Sequence, residues 1–219
     1  MSRPVLDAIH ELIAHRRLLD HPFYSAWSEG ALTREALQKY AEQYYHWVQA
    51  FPTWLSATHA NTTDFAMRQE ILENLIDEER GAENHPELWL RFCDALGLDR
   101  EAVRKADLLP ETARAIAMMR TVSRDEPAVA SLAALYAYES QQPEVMKTKR
   151  EGLRDKYGVT SGHDYFEVHE TADIEHSAGE RRMLEEHIAG HEAAALRSVR
   201  TSLDATYTIL DGINRVRVQ

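Results

Sequence analysis

The sequence predicts an all-α fold, and three observations support that prediction. Apolar residues recur at the three- and four-residue spacings of a helix face, and the alternating pattern of β-strands is nearly absent. Prolines and glycines fall where periodic stretches begin and end. The chain has 219 residues, of which 44% are hydrophobic, enough for a substantial core. We therefore expect one domain over residues 1–219, a bundle of roughly eight or more helices.

Helix boundaries in the first half follow from prolines, glycines and capping residues. Thr33 and Asp64 can cap the first turn of a helix, Pro52 and Pro86 suit a first-turn position, and Gly97 suits a helix end. The predicted helices cover about residues 4–19, 33–50, 52–60, 64–84 and 86–97, with a short helix or turn at 21–30.

The second half is divided in the same way. Pro110 and Pro127 occupy first-turn positions, Pro143 bends or restarts the chain, and Gly158 ends the piece that follows. The predicted helices cover about residues 111–123, 127–141, 143–158, 163–189 and 191–213.

Charge and composition exclude several partners and locations. The net charge of −11 argues against binding to nucleic acid or to an anionic membrane. No apolar run approaches the ~20 residues of a membrane span, and the N-terminal stretch lacks the apolar core of a signal peptide. A single cysteine, Cys93, rules out an internal disulfide framework. We expect a cytoplasmic protein.

Three polar stretches carry acids and histidines at unusual places. In NLIDEERGAENHPELW, Glu78 and His85 are seven residues apart, which predicts one shared helix face. In ALYAYESQQPEV, Glu139 continues an otherwise apolar face, where an unpaired buried carboxylate is costly. Taken singly, each of these acids has a plainer interpretation as part of a solvated or packed face.

The third stretch, HETADIEHSAGE, places His169, Asp173 and His176 at i, i+4 and i+7. This is the spacing of one helix face, where a core stripe carries Leu or Ile instead. Alone, the pattern is also compatible with a polar surface. Together with the first two stretches it completes a set of three carboxylates and three imidazoles.

That inventory of nitrogen and oxygen ligands suits redox iron or manganese and does not suit a thiolate site. Six protein ligands can hold two metal ions and leave positions for oxygen or water. Bundle di-metal proteins commonly use Glu-x-x-His pairs, but this chain does not have that spacing in the right places.

The set of Glu78, His85, Glu139, His169, Asp173 and His176 resembles that of the heme-oxygenase-like di-metal oxidases. Within them the chain is most similar to the CADD family (Chlamydia protein associating with death domains). The resemblance covers essentially the whole chain, and the wider fold also includes PqqC and heme oxygenase. It implies a heme-oxygenase-like helical bundle and a homodimer. It also implies two non-heme metal ions bound by these six residues, together with O₂ and an external reductant of unknown source. The pairs Fe/Fe, Fe/Mn and Mn/Mn stay open.

The same resemblance implies synthesis of 4-aminobenzoate, a folate precursor, from the protein's own tyrosine. Tyr24 in HPFYSAW matches the ring source, and Lys149 in KTKRE matches the amino donor. Lys147 is an alternative to Lys149, and the two point about 200° apart on a helix. Tyr40 and Tyr138 match further tyrosines that could pass an oxidising hole or become cross-linked. Aromatic packing and a solvated lysine are the plainer interpretations.

Two other functions stay open at this point. The first keeps the metals and makes the protein a di-metal oxygenase of a diffusible amino acid or aryl amine. The second is a non-enzymatic interaction protein, suggested only by the name of the family. Loss of the Tyr24 side chain during the reaction would separate the self-consuming enzyme from both.

Overall fold

Eleven α-helices and one short 3-10 helix make up residues 2–217, which are the residues that the computed structural model describes, and this range contains no β-strand. The all-α prediction is confirmed. In chain order the elements are α1 (Ser2–His15), η1 (Leu18–Asp20), α2 (Pro22–Glu29), α3 (Arg34–Ala60), α4 (Phe65–Glu79), α5 (His85–Ala95), α6 (Arg100–Arg104), α7 (Pro110–Asp125), α8 (Ala128–Glu139), α9 (Gln142–Asp155), α10 (Asp164–His187) and α11 (Glu192–Arg217).

Local sequence explains most helix starts. The side chains of Thr33 and Asp64 accept hydrogen bonds from backbone N–H groups in the first turns of α3 and α4, as predicted. The short helix α6 was not predicted, although Asp99 caps it in the same way. Within residues 2–217, none of the helices is long and apolar enough to cross a membrane.

The predicted break at Pro52 is wrong, because α3 continues through it for 27 residues. Proline removes one helical hydrogen bond, the one to the carbonyl of residue 48, and its ring crowds that turn. Here the ring is buried between Phe51 and Trp54, which lie in the core. Tertiary packing on both sides therefore outweighs the local cost, and periodicity was a better guide than the proline.

The predicted end of α4 near Asn84 is also wrong, because the helix stops at Glu79. Gly81 takes a left-handed conformation, φ 81°, in the turn that follows, and the Asn84 side chain caps α5 instead. Glu78 therefore lies in the last turn of α4 and His85 in the first turn of α5. They do not share a helix face, as the spacing had predicted, and meet across the turn.

The helices α4, α5, α8 and α10 surround the polar centre, since α10 packs against all three others. All twelve residues of α8 are buried. Glycine permits two close approaches: a Cβ on Gly152 of α9 would lie 2.7 Å from the Trp27 indole nitrogen of α2, and one on Gly179 of α10 would collide with Glu70 of α4. These contacts bring α9 and α10 close to the residues that form the site.

Candidate metal centre

The six predicted ligand residues lie in two groups of three. We call Glu78, His85 and His169 the first group; the second group is Glu139, Asp173 and His176. In each group, one ligand atom from each residue lies within 4.8 Å of the others. The helix α10 contributes to both groups, because His169 is four residues before Asp173 and seven before His176.

The first group joins the end of α4, the start of α5 and the middle of α10. His85 Nδ1 lies 2.9 Å from Glu78 Oε2, and His169 Nε2 lies 3.9 Å from Glu78 Oε1. The other nitrogen of His169, Nδ1, is 2.7 Å from the Tyr165 carbonyl oxygen. A carbonyl can only accept, so Nδ1 carries the proton and Nε2 presents its lone pair to the group.

The second group lies between α8 and α10. His176 Nδ1 is 3.6 Å from Glu139 Oε1 and 3.7 Å from Asp173 Oδ1, too far for good hydrogen bonds. His176 Nε2 lies 3.0 Å from the Asp77 carboxylate, which orients the ring. The Asn74 amide donates to both Glu139 oxygens, at 2.9 and 3.2 Å.

Protonation differs between the imidazoles. Burial, reinforced by neighbouring His85, lowers the pKa of His169 well below its ordinary value, so this ring is neutral without any metal. Burial acts in the same direction on His176, but Asp173 and Glu139 outweigh it and raise its pKa to about 11. Burial raises the pKa of Asp173, and the nearby Glu139 charge adds to that rise.

Several buried polar atoms of the two groups lack a hydrogen-bond partner among the described residues. They include His85 Nδ1, Asp173 Oδ2 and His176 Nδ1. His85 Nδ1 lies 2.9 Å from Glu78 Oε2, but the two atoms do not have the geometry of a hydrogen bond. Unpartnered buried polar atoms are costly unless something absent from the protein chain binds them. The donor set fits one cation at each group.

Lys149 is fully buried, and its amine is surrounded by aromatic rings. The Nζ atom lies between 5.0 and 6.0 Å from the ring centroids of Tyr24, Tyr40, Tyr44 and Trp89. Its one hydrogen-bonding contact in the described chain is with Met146 Sδ, at 3.9 Å. Burial lowers the pKa of Lys149 well below its ordinary value, only partly opposed by the Asp173 charge. Lys147, by contrast, is exposed.

The predicted tyrosines lie in one buried cluster with that amine. The hydroxyls of Tyr24 and Tyr40 are 3.5 Å apart, and those of Tyr44 and Tyr138 are 2.9 Å apart. The rings of Tyr40 and Tyr44 are 5.1 Å apart and connect the two pairs. Burial raises the pKa of Tyr24 and of Tyr40 well above the ordinary value, so both phenols keep their protons.

The cluster reaches both groups. Tyr138 precedes Glu139 of the second group, and Tyr165 stacks on His169 of the first group with ring centroids 4.0 Å apart. The Trp89 ring lies between the rings of Tyr165 and Tyr44, with centroid distances of 4.8 and 5.1 Å. The rings therefore form a continuous path from the first group to Lys149.

Sequence reasoning missed five residues of the centre: Asn74, Asp77, Tyr44, Tyr165 and Glu180. Helix spacing could have found some of them. Tyr165 is four residues before His169, and Glu180 is four after His176, so both continue the face identified on α10. Asp77 is on α4 beside Glu78, and its chain position gives no signal that it reaches α10.

Two cavities of very different size adjoin the centre. The one between the two groups and the tyrosines has a volume of about 10 Å³, with Tyr138, Tyr165 and His169 among its walls. This is about the space of one water molecule. The other has a volume of about 560 Å³, lies between α4 and α10, and reaches Asn74 and His176.

Comparisons with known proteins support the family resemblance. A family model described as iron-containing redox enzyme matches residues 38–207. A 4-aminobenzoate synthase of Nitrosomonas europaea is 46% identical over 94% of this chain and 89% of that protein. Another, from Chlamydia muridarum, is 40% identical over 96% and 90%. A solved CADD-like protein of unknown function from Nostoc punctiforme matches 100% of this chain and 99% of that chain, with a TM-score of 0.80 and 17% identity, which shows the fold alone. The resemblance identified from the sequence is confirmed.

Proposed function

Since the chain belongs to the family of iron-containing redox enzymes, we propose that it is an O₂-dependent oxidoreductase that produces 4-aminobenzoate from its own Tyr24. Lys149 supplies the amino nitrogen. The relatives named 4-aminobenzoate synthase support the product, and the cluster around Lys149 supports the source of the ring and of the nitrogen.

Two non-heme metal ions are the cofactors in this proposal. The first group would hold one ion and the second group the other, with imidazole nitrogens and carboxylate oxygens that suit iron and manganese. When bound, such a pair supplies the oxidising power that side chains lack, with O₂ as the oxidant and an external reductant. His169 is already neutral, and its Nδ1 proton is held on the Tyr165 carbonyl, so Nε2 is ready to bind a cation.

The observation that carries the proposal is the amine of Lys149 inside a cage of aromatic rings. A lysine is a nucleophile only when neutral, and dry, apolar surroundings favour that form. The amine lies 5.3 Å from the Tyr24 ring centroid, which is about the distance of direct contact. Full burial of both residues excludes water, which would otherwise compete for reactive species.

Tyr24 as the ring source is consistent with the shape of the centre. Its conversion requires cleavage of the Cα–Cβ bond and oxidation of Cβ to a carboxylate, with O₂ as the oxidant and electrons from the external reductant. The ring hydroxyl would leave as water, and the Nζ–Cε bond of Lys149 would break as its nitrogen takes that place on the ring. A cavity of about 10 Å³ beside the two groups has no room for a separate aromatic substrate. A tyrosine of the chain needs no such room, because the Tyr24 ring is already buried in the packed core, next to the Lys149 amine.

The test is residue-resolved mass spectrometry of full-length protein after one aerobic reaction with iron, manganese and reductant. We expect about one 4-aminobenzoate per chain and loss of the Tyr24 side chain. Protein grown with ring-labelled tyrosine should yield labelled product even when unlabelled tyrosine is added to the reaction. A Tyr24→Phe variant that forms wild-type amounts of product would refute the proposal, and Tyr45→Phe is the matched control.

A parallel label tests the nitrogen. Protein grown with side-chain ¹⁵N-lysine should yield ¹⁵N-labelled product. Lys149→Met should abolish product formation, whereas Lys147→Met should not, because the Lys147 side chain is exposed. Product without ¹⁵N from the labelled protein would exclude Lys149 as the donor.

One observation favours a second candidate, a di-metal oxygenase of a diffusible amine. The cavity of about 560 Å³ has the size of a small-molecule site, and it reaches the second group at His176. This function requires many turnovers with Tyr24 unchanged, which the same mass spectra would reveal. Acidic residues dominate its polar lining, so it would admit cations more readily than a carboxylate product.

A further inference from the structure

Glu180 is a buried carboxyl group next to Glu139 of the second group. Its side chain lies on α10, four residues after His176 and seven after Asp173, on the face that carries both. Glu180 is only 3% exposed, and neither carboxylate oxygen has a hydrogen-bond partner among the residues described. Its carboxyl lies beside that of Glu139, and it also lines the cavity of about 560 Å³.

The charges around Glu180 are almost all of the same sign. Among charged groups, the carboxylates of Glu139, Asp173 and Glu70 have the largest electrostatic effect on Glu180. The two arginines that follow it on α10 are engaged elsewhere, Arg181 with Glu185 and Arg182 with Glu70. Neither contacts Glu180 in the part of the chain that is described.

Among the described residues, His176 is the cationic group of this cluster. It lies 3.6 Å from Glu139 and 3.7 Å from Asp173 and is also shared with Asp77, whereas no ion pair within the described chain joins it to Glu180. A buried carboxylate without a counter-charge costs several kcal/mol, and a bound cation would supply that counter-charge. Oxygen-rich sets of this composition suit divalent manganese or iron.

We infer that Glu180 is an additional protein ligand of the second metal position, joining Glu139, Asp173 and His176. This inference rests on the proposed di-metal function. It makes the second position richer in carboxylate than the first, with three acids and one imidazole against one acid and two imidazoles. The cavity gives an incoming hydrated ion access to Glu180 from solvent.

The experiment is an anaerobic Mn²⁺ titration of metal-free, full-length protein, with free Mn²⁺ measured by electron paramagnetic resonance. Wild type should bind two ions. Glu180→Gln preserves size and polarity, and it should bind the first ion as wild type does and the second at least about tenfold more weakly. The matched control is Glu185→Gln, on the same helix but exposed, and it should behave as wild type.

Two further measurements separate a ligand from a structural role. His85→Ala disables the first position. In that background, Glu180→Gln should weaken binding of the remaining ion by the same factor as it weakens the second ion in otherwise wild-type protein. The melting temperature of metal-free Glu180→Gln should equal or exceed that of wild type, because the substitution removes a carboxylate from a crowded acidic cluster. The stabilisation by added Mn²⁺ should be smaller.

A second ion that binds Glu180→Gln within about twofold of wild type would overturn the inference. So would a lower metal-free melting temperature combined with equal weakening of both ions. Because the titration excludes O₂, these results do not depend on which product the enzyme makes. Two bound ions without 4-aminobenzoate formation in air would refute the proposed function alone, whereas fewer than two in wild type would refute both.

Discussion

The two groups of the centre have equal numbers of predicted ligands but opposite surroundings. The first group is enclosed by aromatic rings: His85 and His169 lie 4.3 Å apart by ring centroid, and Tyr165 stacks on His169. The second group meets acids and amides, and it opens toward the larger cavity. We call the first group with its aromatic rings the enclosed side and the second group the open side. His169 on the enclosed side is neutral, whereas His176 on the open side is protonated.

This difference shows that the number and closeness of carboxylates decide how burial affects a histidine. His169 has one carboxylate, Glu78, at 3.9 Å, whereas His176 has three within 3.7 Å. At His169 the loss of hydration dominates and the proton is lost. At His176 the same loss of hydration is outweighed by Asp173 and Glu139. Burial also lowers the pKa of Lys149, which lies among the aromatic rings that extend from the first group. The residues proposed to react thus lie where burial disfavours charge.

The largest expected effect separates the two groups by their histidines. His169→Ala removes the ligand that is neutral before any ion binds, so we expect product formation to fall at least about a hundredfold, and the first ion to be lost. His176→Ala should lose the second ion and keep the first. Metal analysis of both variants by mass spectrometry measures this, with the exposed His191→Ala as control. If His169→Ala retained both ions, His169 would not be a required ligand of the first ion, and the difference drawn between the two groups would be wrong.

The next effect is on the pH dependence of metal binding. Burial lowers the pKa of His176 but its carboxylate neighbours raise it to about 11, so at neutral pH a cation must displace a proton to bind. Because one proton of His176 is displaced, the affinity of the second position for the metal ion should rise by up to about tenfold per pH unit between pH 6 and 9. At the first position, His169 is already neutral and need not release a proton when an ion binds. Burial lowers the pKa of His85, but Glu78 outweighs burial and raises that pKa, so His85 can release one proton.

Calorimetry in buffers of different ionisation enthalpy counts the protons released by each ion. The second ion should release more than the first. If both ions released equal numbers of protons, the different surroundings of the two groups would not be what controls the protonation of their histidines.

Helix spacing was enough to predict that His169, Asp173 and His176 share one face of α10, and residue type was enough to predict both N-caps. These features depend on neighbours within one or two turns. The pairing of Glu78 with His85 was predicted for the wrong reason, since a turn rather than a helix face joins them. Lys149 could not be separated from Lys147 by sequence. That choice depends on how α9 packs against α2, where Gly152 meets Trp27, and such contacts lie far apart in the chain.

A smaller effect concerns Asp77, which is largely exposed yet holds His176 Nε2 at 3.0 Å. This contact fixes the ring so that Nδ1 faces Glu139 and Asp173. Asp77→Asn should weaken the second ion about tenfold, the lower end of the range for residues that orient a metal ligand, because solvent screens the pair. The first ion should bind as in wild type. The same Mn²⁺ titration measures both, and Glu73→Gln, on the same helix, is the control.

The smallest effect is on stability and concerns the enclosed side. Burial lowers the pKa of Lys149 in the folded protein, whereas the unfolded chain keeps the ordinary value of about 10.4. At pH values between the folded and unfolded pKa values of Lys149, the unfolded state binds more protons than the folded state. The contribution of Lys149 to the free energy of unfolding therefore becomes more favourable as pH rises. In metal-free protein, Lys149→Met should therefore be more stable than wild type at pH 7. Its advantage should shrink by up to about 1.4 kcal/mol per pH unit toward pH 9.

Chemical denaturation of the metal-free protein at several pH values tests this, with the exposed Lys147→Met as control. Parallel pH profiles for wild type and Lys149→Met would show that the Lys149 amine keeps its proton inside the ring cage. The enclosed side would then hold charge as the open side does, and the Lys149 amine would lack the free electron pair that nitrogen transfer to Tyr24 requires.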